Sequence, residues 1–199
     1  MIAFLNGSPK AAGSTTEKLL LLLQECLADE TIISLSARTL TFDNLADCET
    51  LVIAFPLYVD GLPSHLLRYL EAFAAACPRA KRVYALAHCG FYEGKQCHLA
   101  LEMVAHFCAH TRMTYAGGAA LGAALLTDTL PAPLTKPFFQ TLETLAQAIR
   151  TKQALLPEAY AQPKMPRRMY ICAGNFRWRQ EAKHNGLSPK VLYWPDQES

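Results

Sequence analysis

The sequence predicts an α/β domain built on a doubly wound, five-stranded parallel sheet. Short apolar runs alternate with helical periods along residues 1–153, and this alternation is typical of a parallel sheet covered by helices on both faces. Apolar residues make up 51% of the 199 residues and charged residues only 18%, so the chain can bury a sizeable core. Folds of this class bind ligands at the carboxyl ends of their strands, where the winding reverses.

Five apolar runs are predicted strands, and helical periods separate most of them. The strands are residues 2–5, 31–35, 50–55, 82–87 and 114–120. The helices are residues 16–27, 62–75, 96–111 and 137–153. In the helices the apolar residues recur three or four positions apart, whereas the strands are short continuous apolar runs. Pro63 suits the first turn of the second helix, because a proline there gives up no helical hydrogen bond.

Residues 154–199 are predicted to form a basic, aromatic extension outside the domain of residues 1–153. Prolines recur at Pro157, Pro163 and Pro166, which is typical of a linker. Residues 150–190 contain nine Lys or Arg and two acids, a balance of +7 in a chain of net charge +2. We favour a terminal helix docked on its own domain or on a second subunit, with contact to a membrane surface as an alternative. We expect no nucleic-acid partner.

Neither a signal peptide nor an apolar run long enough to span a bilayer is evident, so we expect a cytoplasmic protein.

The seven cysteines are scattered, without C-x-x-C or cluster spacing, and buried free thiols are expected. A packing role is favoured over a redox role for Cys89. His106 and His110 lack the H-E-x-x-H pattern, so no metal site is expected.

The loop between the first predicted strand and helix has the composition of a phosphate-binding site. Residues 6–17 read NGSPKAAGSTTE. Amide groups at a helix start carry partial positive charge, and the loop adds hydroxyl donors and Lys10. Neither the Walker A pattern nor G-x-G-x-x-G occurs, which leaves a hydroxyl-rich loop suited to a monophosphate ester. The alternative is a helix cap without a ligand, because residues 14–17 also fit a capping box.

Two later segments, taken together with this loop, resemble a known family. Residues 54–64 read AFPLYVDGLPS and residues 89–94 read CGFYEG. Together with the first loop they resemble the phosphate loop and the two flavin loops of the flavodoxin-like NAD(P)H-dependent FMN reductase and flavoprotein oxidoreductase family. The resemblance covers roughly residues 1–150. It implies a flavodoxin-like fold, FMN as cofactor, NAD(P)H as co-substrate and a homodimer.

The resemblance assigns a role to individual residues in each loop. The positions that match those holding the FMN phosphate are Ser8, Lys10, Ser14, Thr15 and Thr16. Those matching the loop beside the flavin ring are Pro56, Leu57, Tyr58 and Val59. Those matching the loop on the other side of the ring are Cys89, Gly90, Phe91, Tyr92 and Gly94. Independently of the resemblance, the tyrosines and Phe91 suit packing against a flat aromatic ring.

The function expected from these residues is an FMN-dependent NAD(P)H oxidoreductase that passes reducing equivalents to a small acceptor, such as a flavin or a quinone. We expect no catalytic acid or base, because the flavin carries the chemistry. The alternative is a non-catalytic, flavodoxin-like electron-transfer protein, but such carriers usually have acidic surfaces and this chain has a net charge of +2. A binding module that has lost its flavin is a third possibility, and the intact phosphate loop argues against it.

Overall fold

In the computed structural model, a parallel sheet and its flanking helices occupy residues 1–163, and a separate unit begins at residue 164. The structure describes residues 1–10, 12–40, 42, 48–76 and 81–188. The strands are β1 (Ile2–Asn6), β2 (Ile32–Ser36), β3 (Thr50–Pro56), β4 (Lys81–His88), β5 (Met113–Leu121) and β6 (Leu155–Ala161). The helices are α1 (Thr15–Cys26), α2 (Ser64–Ala76), α3 (His98–Ala109), α4 (Ala132–Thr151) and α5 (Arg167–His184).

The six strands form one sheet in the order β2-β1-β3-β4-β5-β6, and every neighbouring pair is parallel. β1 pairs on one side with β2 and on the other with β3, so that Leu5 lies between Leu35 and Ile53. After β2 the chain returns past β1 and adds every later strand on the opposite side. The reversal of winding therefore lies between β1 and β3, and this is where open α/β sheets bind ligands.

Helices cover both faces of the sheet and divide the core into two layers. α1 and α4 supply Leu19, Leu23 and Phe138 to one layer, whereas α2 supplies Tyr69 and Phe73 to the other. The central strands are buried on both faces, and in β3 only Pro56 is not fully buried. A strand buried on both faces needs apolar residues at every position, which is why the sequence shows continuous apolar runs rather than alternation.

The structure confirms the five predicted strands and the four predicted helices, with one large shift in a boundary. α4 begins at Ala132 rather than at residue 137. A proline in the first turn loses no helical hydrogen bond, so Pro133 is compatible with this earlier start. Pro137 lies inside the helix, where its missing N–H costs only one bond near the amino-terminal end.

The prediction of a five-stranded sheet is wrong, because residues 155–161 form a sixth strand. The recurring prolines predict instead that these residues belong to the extension. β6 pairs with β5 at the edge of the sheet, and the register shifts between Gly117 and Ala119. An edge strand with an irregular register tolerates Pro157, because the missing N–H need not serve a second neighbour.

The C-terminal unit contains α5, whose sequence is rich in basic and aromatic residues. Only Ala182 is buried along this helix, and Met169, Phe176 and Trp178 are 58%, 64% and 66% exposed. The last part of the predicted extension, residues 189–199, lies outside the described residues. No helix in the described ranges is both long enough and apolar enough to cross a membrane.

Gly117 is expected to be essential for the attachment of β6. Its φ is +97°, and a Cβ there would lie 2.0 Å from the Leu155 carbonyl oxygen. We predict that Gly117→Ala lowers the free energy of unfolding by about 2–4 kcal/mol, through the combined effects of strain and displacement of backbone. Urea unfolding followed by circular dichroism measures this. The control is Gly174→Ala in α5, where a Cβ meets nothing within 4 Å and no destabilisation is expected.

Candidate functional site

Three loops meet at the carboxyl edge of the sheet and form a cleft of about 310 Å³. They follow β1, β3 and β4, which are adjacent in the sheet, so their loops are brought together by strand pairing alone. The residues that line the cleft are Ser8, Lys10, Gly13, Ser14, Thr15, Thr16, Pro56, Leu57, Tyr58, His88, Cys89, Gly90 and Leu125. The structure thus gathers residues from all three predicted loops into one cleft.

The amino-terminal end of α1 opens into this cleft. Ser14 is the N-cap, and its Oγ accepts a hydrogen bond from the Glu17 N–H at 3.1 Å. The Glu17 carboxylate accepts from the Gly13 N–H at 2.6 Å, so a capping arrangement is present. The amides of Thr15 and Thr16 have no hydrogen-bond partner in the described part of the chain. These two N–H groups are donors at the positive end of the helix dipole.

The two serine hydroxyls beside the helix end can still donate a hydrogen bond to a ligand. Ser8 and Ser14 are only 5% and 6% exposed. The Ser8 Oγ accepts from the Lys10 N–H at 3.2 Å, just as the Ser14 Oγ accepts from Glu17. A hydroxyl that accepts one bond can still donate its own O–H. Within the described ranges neither hydroxyl has an acceptor for its own proton; buried donors of this kind favour an anionic ligand, which fits the phosphate interpretation better than a cap alone.

His88 lines the cleft, although no sequence motif points to it. Its Nε2 lies 2.8 Å from the Thr16 Oγ1, and both side chains are buried. Burial lowers the pKa of His88 to about 4, so the ring is neutral at neutral pH. The alternation of side chains along β4 could have indicated this position. Tyr84 and Leu86 pack into the layer covered by α1, and His88, two residues further along the strand, lies on the same face.

Lys10 brings a positive charge to the rim of the cleft. Its Nζ donates to the Gly13 carbonyl at 3.1 Å, which closes the loop between β1 and α1 on itself. Gly13 has a φ of +65°, a conformation that favours glycine. Gly7 is restricted by space rather than conformation, because a Cβ there would lie 2.7 Å from the Leu66 Cδ2.

The second loop is a tight turn. The N–H and carbonyl groups of Tyr58 and Gly61 exchange two hydrogen bonds of 3.0 Å. Val59 and Asp60 between them have φ values of 47° and 58°, which is uncommon for a β-branched residue. Tyr58 is half exposed and lines the cleft, whereas Val59 is fully exposed at the tip and does not line it. The Leu57 N–H donates to the His88 carbonyl at 2.8 Å and ties this loop to β4.

The third loop contributes Cys89 and Gly90 to the cleft, while the rest of the loop lies elsewhere. Phe91 is 56% exposed. The Tyr92 hydroxyl donates to the Pro163 carbonyl at 3.5 Å. Gly94 is buried, and a Cβ there would lie 2.6 Å from the Ala120 carbonyl oxygen. Tyr92 and Gly94 therefore anchor the loop and do not line the cleft.

Leu125 completes the rim, although no sequence motif pointed to it. It is 63% exposed and belongs to the short 3₁₀ turn after β5. The Ala124 N–H before it donates to the Cys89 carbonyl at 3.1 Å, so this turn is fixed against the third loop. Together with Tyr58, Leu125 gives the mouth of the cleft an exposed apolar character that suits a flat, aromatic ligand.

The described residues contain no group of three His, Cys, Asp or Glu side chains that could hold a metal ion. The lining of the cleft suits recognition of an anion at its hydroxyl end and of an apolar ring at its mouth.

Comparison with known proteins identifies the fold. No protein-family model and no curated protein matches this sequence. A Fusobacterium nucleatum flavodoxin bound to flavin mononucleotide aligns with a TM-score of 0.60 at 11% identity, over 76% of this chain and 98% of that one. A P. pentosaceus protein described as an NADPH-quinone reductase aligns with a TM-score of 0.55 at 16% identity, over 74% and 96%.

The rubredoxin oxygen:oxidoreductase of Desulfovibrio gigas aligns with a TM-score of 0.58 at 16% identity, over 76% of this chain. This chain spans only 35% of that protein's length. At such identities the likeness shows the fold, which is flavodoxin-like.

The buried, neutral His88 is expected to make the protein sensitive to acid. Its pKa of about 4 lies below the ordinary value of about 6.5, so the unfolded state binds the proton more readily. The contribution of His88 to the free energy of unfolding should therefore be fully present above about pH 6.5. It should be lost, by roughly 3 kcal/mol, as the pH drops toward 4. Urea unfolding at a series of pH values measures this loss.

His88→Gln should remove this share of the pH dependence, while His110→Gln, a change at an exposed histidine, should leave it intact. An unchanged pH profile in His88→Gln would show that His88 is not held neutral by burial.

Proposed function

We propose that this protein is an FMN-dependent oxidoreductase that takes reducing equivalents from NAD(P)H and passes them through bound FMN to a small acceptor, such as a flavin or a quinone. The observation that carries the proposal is one cleft in which buried hydroxyl donors at a helix end face an exposed apolar mouth. Among the proteins with a similar fold, one is a flavodoxin bound to flavin mononucleotide and another is described as an NADPH-quinone reductase.

The donor set fits a phosphate monoester. The hydroxyls of Ser8 and Ser14 and the amides of Thr15 and Thr16 converge at the start of α1. Hydrogen bonds from such donors to a charged oxygen are stronger than those between neutral groups. Among the described residues that line the cleft, Lys10 alone carries a full charge, so neutral donors would supply most of the binding.

The other end of the cleft fits the flavin ring. Tyr58 and Leu125 are half or more exposed at its mouth, and Pro56 and Leu57 extend the apolar wall. Gly90 lines the cleft without a side chain, next to Leu125, whose Cδ1 would lie 3.9 Å from a Cβ at this position. These residues would orient the ring and leave one side accessible to a nicotinamide.

FMN, when bound, supplies the redox chemistry, because it accepts a hydride from NAD(P)H and passes two electrons to an acceptor. The chain contributes binding, orientation and exclusion of water from the phosphate end. His88 stays neutral under Thr16 and therefore adds no charge beside the phosphate. We assign no residue the role of acid or base.

A non-catalytic electron carrier is the second candidate, and the likeness to the F. nucleatum flavodoxin favours it. The absorbance spectrum of the full-length protein with FMN, before and after anaerobic addition of NADPH or NADH, separates the two. Flavin bands that bleach at a catalytic rate support the oxidoreductase. Bands that persist with both nucleotides support the carrier. No bound flavin at all would overturn both candidates.

Ser8→Ala tests the phosphate end of the cleft. The change removes a hydroxyl that is buried, lines the cleft and still has a proton to donate. Loss of one hydrogen bond in a charged site costs about 1.5–3 kcal/mol, so we predict roughly a ten- to hundredfold weaker binding of FMN, measured by quenching of its fluorescence. Ser36→Ala is the matched control, because the Ser36 Oγ also accepts from the N–H two residues later but does not line the cleft, and this variant should bind normally. Equal affinities for the wild type and Ser8→Ala would place the phosphate elsewhere.

We also propose that the protein is a homodimer and that α5 contributes to the interface. Residues 164–188 carry six basic residues and one acid, or +5, whereas residues 1–163 carry twelve basic and fourteen acidic residues, or −2. These opposite charges suit contact between α5 of one copy and the sheet domain of another. The exposed Phe176 and Trp178 supply apolar area of the kind that interfaces bury.

Truncation after Pro163 is the cleanest test, because it retains β6 and removes the C-terminal unit. We predict that the truncated protein is a monomer by size-exclusion chromatography with light scattering, under conditions in which the full chain is a dimer. A truncated protein that remains a dimer but loses binding to anionic vesicles would contradict the dimer proposal and favour a membrane-binding tail.

A further inference from the structure

Thr16 and His88 form a buried polar pair in the wall of the cleft. Thr16 is the second residue of α1 and His88 is the last residue of β4, and their side chains are buried, with 1% and 6% exposed. The Thr16 Oγ1 and the His88 Nε2 lie 2.8 Å apart, and both residues line the cleft. Packing alone does not require this pair, because two apolar side chains would fill the same space without the cost of burying polar groups.

The pair shares one hydrogen bond, but its two members have a proton each. Burial lowers the pKa of His88 to about 4, so the ring is neutral at neutral pH and carries a proton on only one of its nitrogens. If Thr16 donates to Nε2, its hydroxyl has no proton left for a ligand. If Nε2 carries the ring proton and donates to Oγ1, the Thr16 hydroxyl can donate its own proton to a group in the cleft.

A phosphate at the start of α1 would select the second arrangement. The His88 Nδ1 makes no hydrogen bond to a described residue, so nothing in that part of the chain fixes the tautomer from the other side of the ring. A hydrogen bond from Thr16 to a charged oxygen is stronger than one to a neutral imidazole, and bonds in a chain strengthen each other. The amide of Thr16, which has no partner in the described ranges, provides a second donor at the same helix end.

We propose that His88 is a positioning residue for the phosphate of the ligand: it donates from Nε2 to the Thr16 hydroxyl and so directs the Thr16 proton to a phosphate oxygen. This inference rests on the proposed function, in which FMN occupies the cleft. His88 acts through Thr16 and does not itself bind the phosphate. Its effect is therefore confined to ligands that carry a phosphate, so it favours FMN over riboflavin, which has the same ring and no phosphate.

Histidine ¹⁵N NMR of the full-length wild type with FMN tests the proposal directly. Long-range ¹H–¹⁵N spectra distinguish a protonated ring nitrogen from an unprotonated one, and the His88 signal is assigned by its loss in His88→Gln. In the FMN complex we expect a proton on the His88 Nε2, in slow exchange with water because the pair is buried. Bound FMN with an unprotonated Nε2 would overturn this inference alone. A wild type that binds no FMN would overturn the proposed function and this inference with it.

A double-mutant cycle tests whether His88 acts through Thr16. In the wild-type background, His88→Leu should lower the ratio of FMN affinity to riboflavin affinity about tenfold, through loss of one oriented hydrogen bond. In the Thr16→Val background the same change should leave this ratio unaltered, because no hydroxyl remains to be oriented. His88→Gln keeps an N–H donor on the side chain and should restore part of the ratio that His88→Leu loses.

An equal effect of His88→Leu in both backgrounds would contradict the proposal, because His88 would then act independently of Thr16. An equal loss of affinity for FMN and riboflavin would contradict it too, since that result indicates a role in packing only. The NMR measurement on the wild type decides the matter if a variant fails to fold.

Discussion

Parallel pairing of β1, β3 and β4 is the constraint on which the rest of the structure depends. Because these three strands are adjacent, the loops that follow them meet at one edge even though they are far apart along the chain. The two hydrogen bonds that join this edge, from Gly7 to Ala54 at 2.7 Å and from Leu57 to His88 at 2.8 Å, extend the strand pairing into the loops. The cleft is therefore a consequence of the sheet, and a change that shifts the register would separate its parts.

Polar groups buried at this edge require partners, and the site supplies some of them internally. The Thr16 hydroxyl is paired with a histidine that burial keeps neutral, whereas the hydroxyls of Ser8 and Ser14 still have a proton to donate. Burying such groups is costly unless a partner arrives. The phosphate of a ligand would satisfy these donors together, so ligand binding and stability are coupled at this helix end.

The sequence predicts those parts of the fold whose physical signal is local. Strands buried on both faces appear as continuous apolar runs, and the loop between β1 and α1 has a hydroxyl-rich composition that few other elements need. β6 was missed because an edge strand tolerates Pro157 and exposed residues, so it lacks that signal. His88 was missed because its partner Thr16 is 72 residues away, and Leu125 enters the cleft only through its position after β5. Val59, Phe91, Tyr92 and Gly94 belong to the predicted loops but not to the cleft lining, since a motif identifies a loop and not which of its side chains face a ligand.

The most direct test of the central claim, that one cleft binds FMN through all three loops, is a titration of the ¹⁵N-labelled full-length protein with FMN, followed by amide chemical shifts in NMR. We predict that the shifts concentrate at residues 8–16, 56–61 and 88–90, and that the Thr15 and Thr16 amides move downfield as they bond to the phosphate. Shifts confined to α5, or no shifts at FMN concentrations that saturate flavodoxin-like sites, would contradict the account.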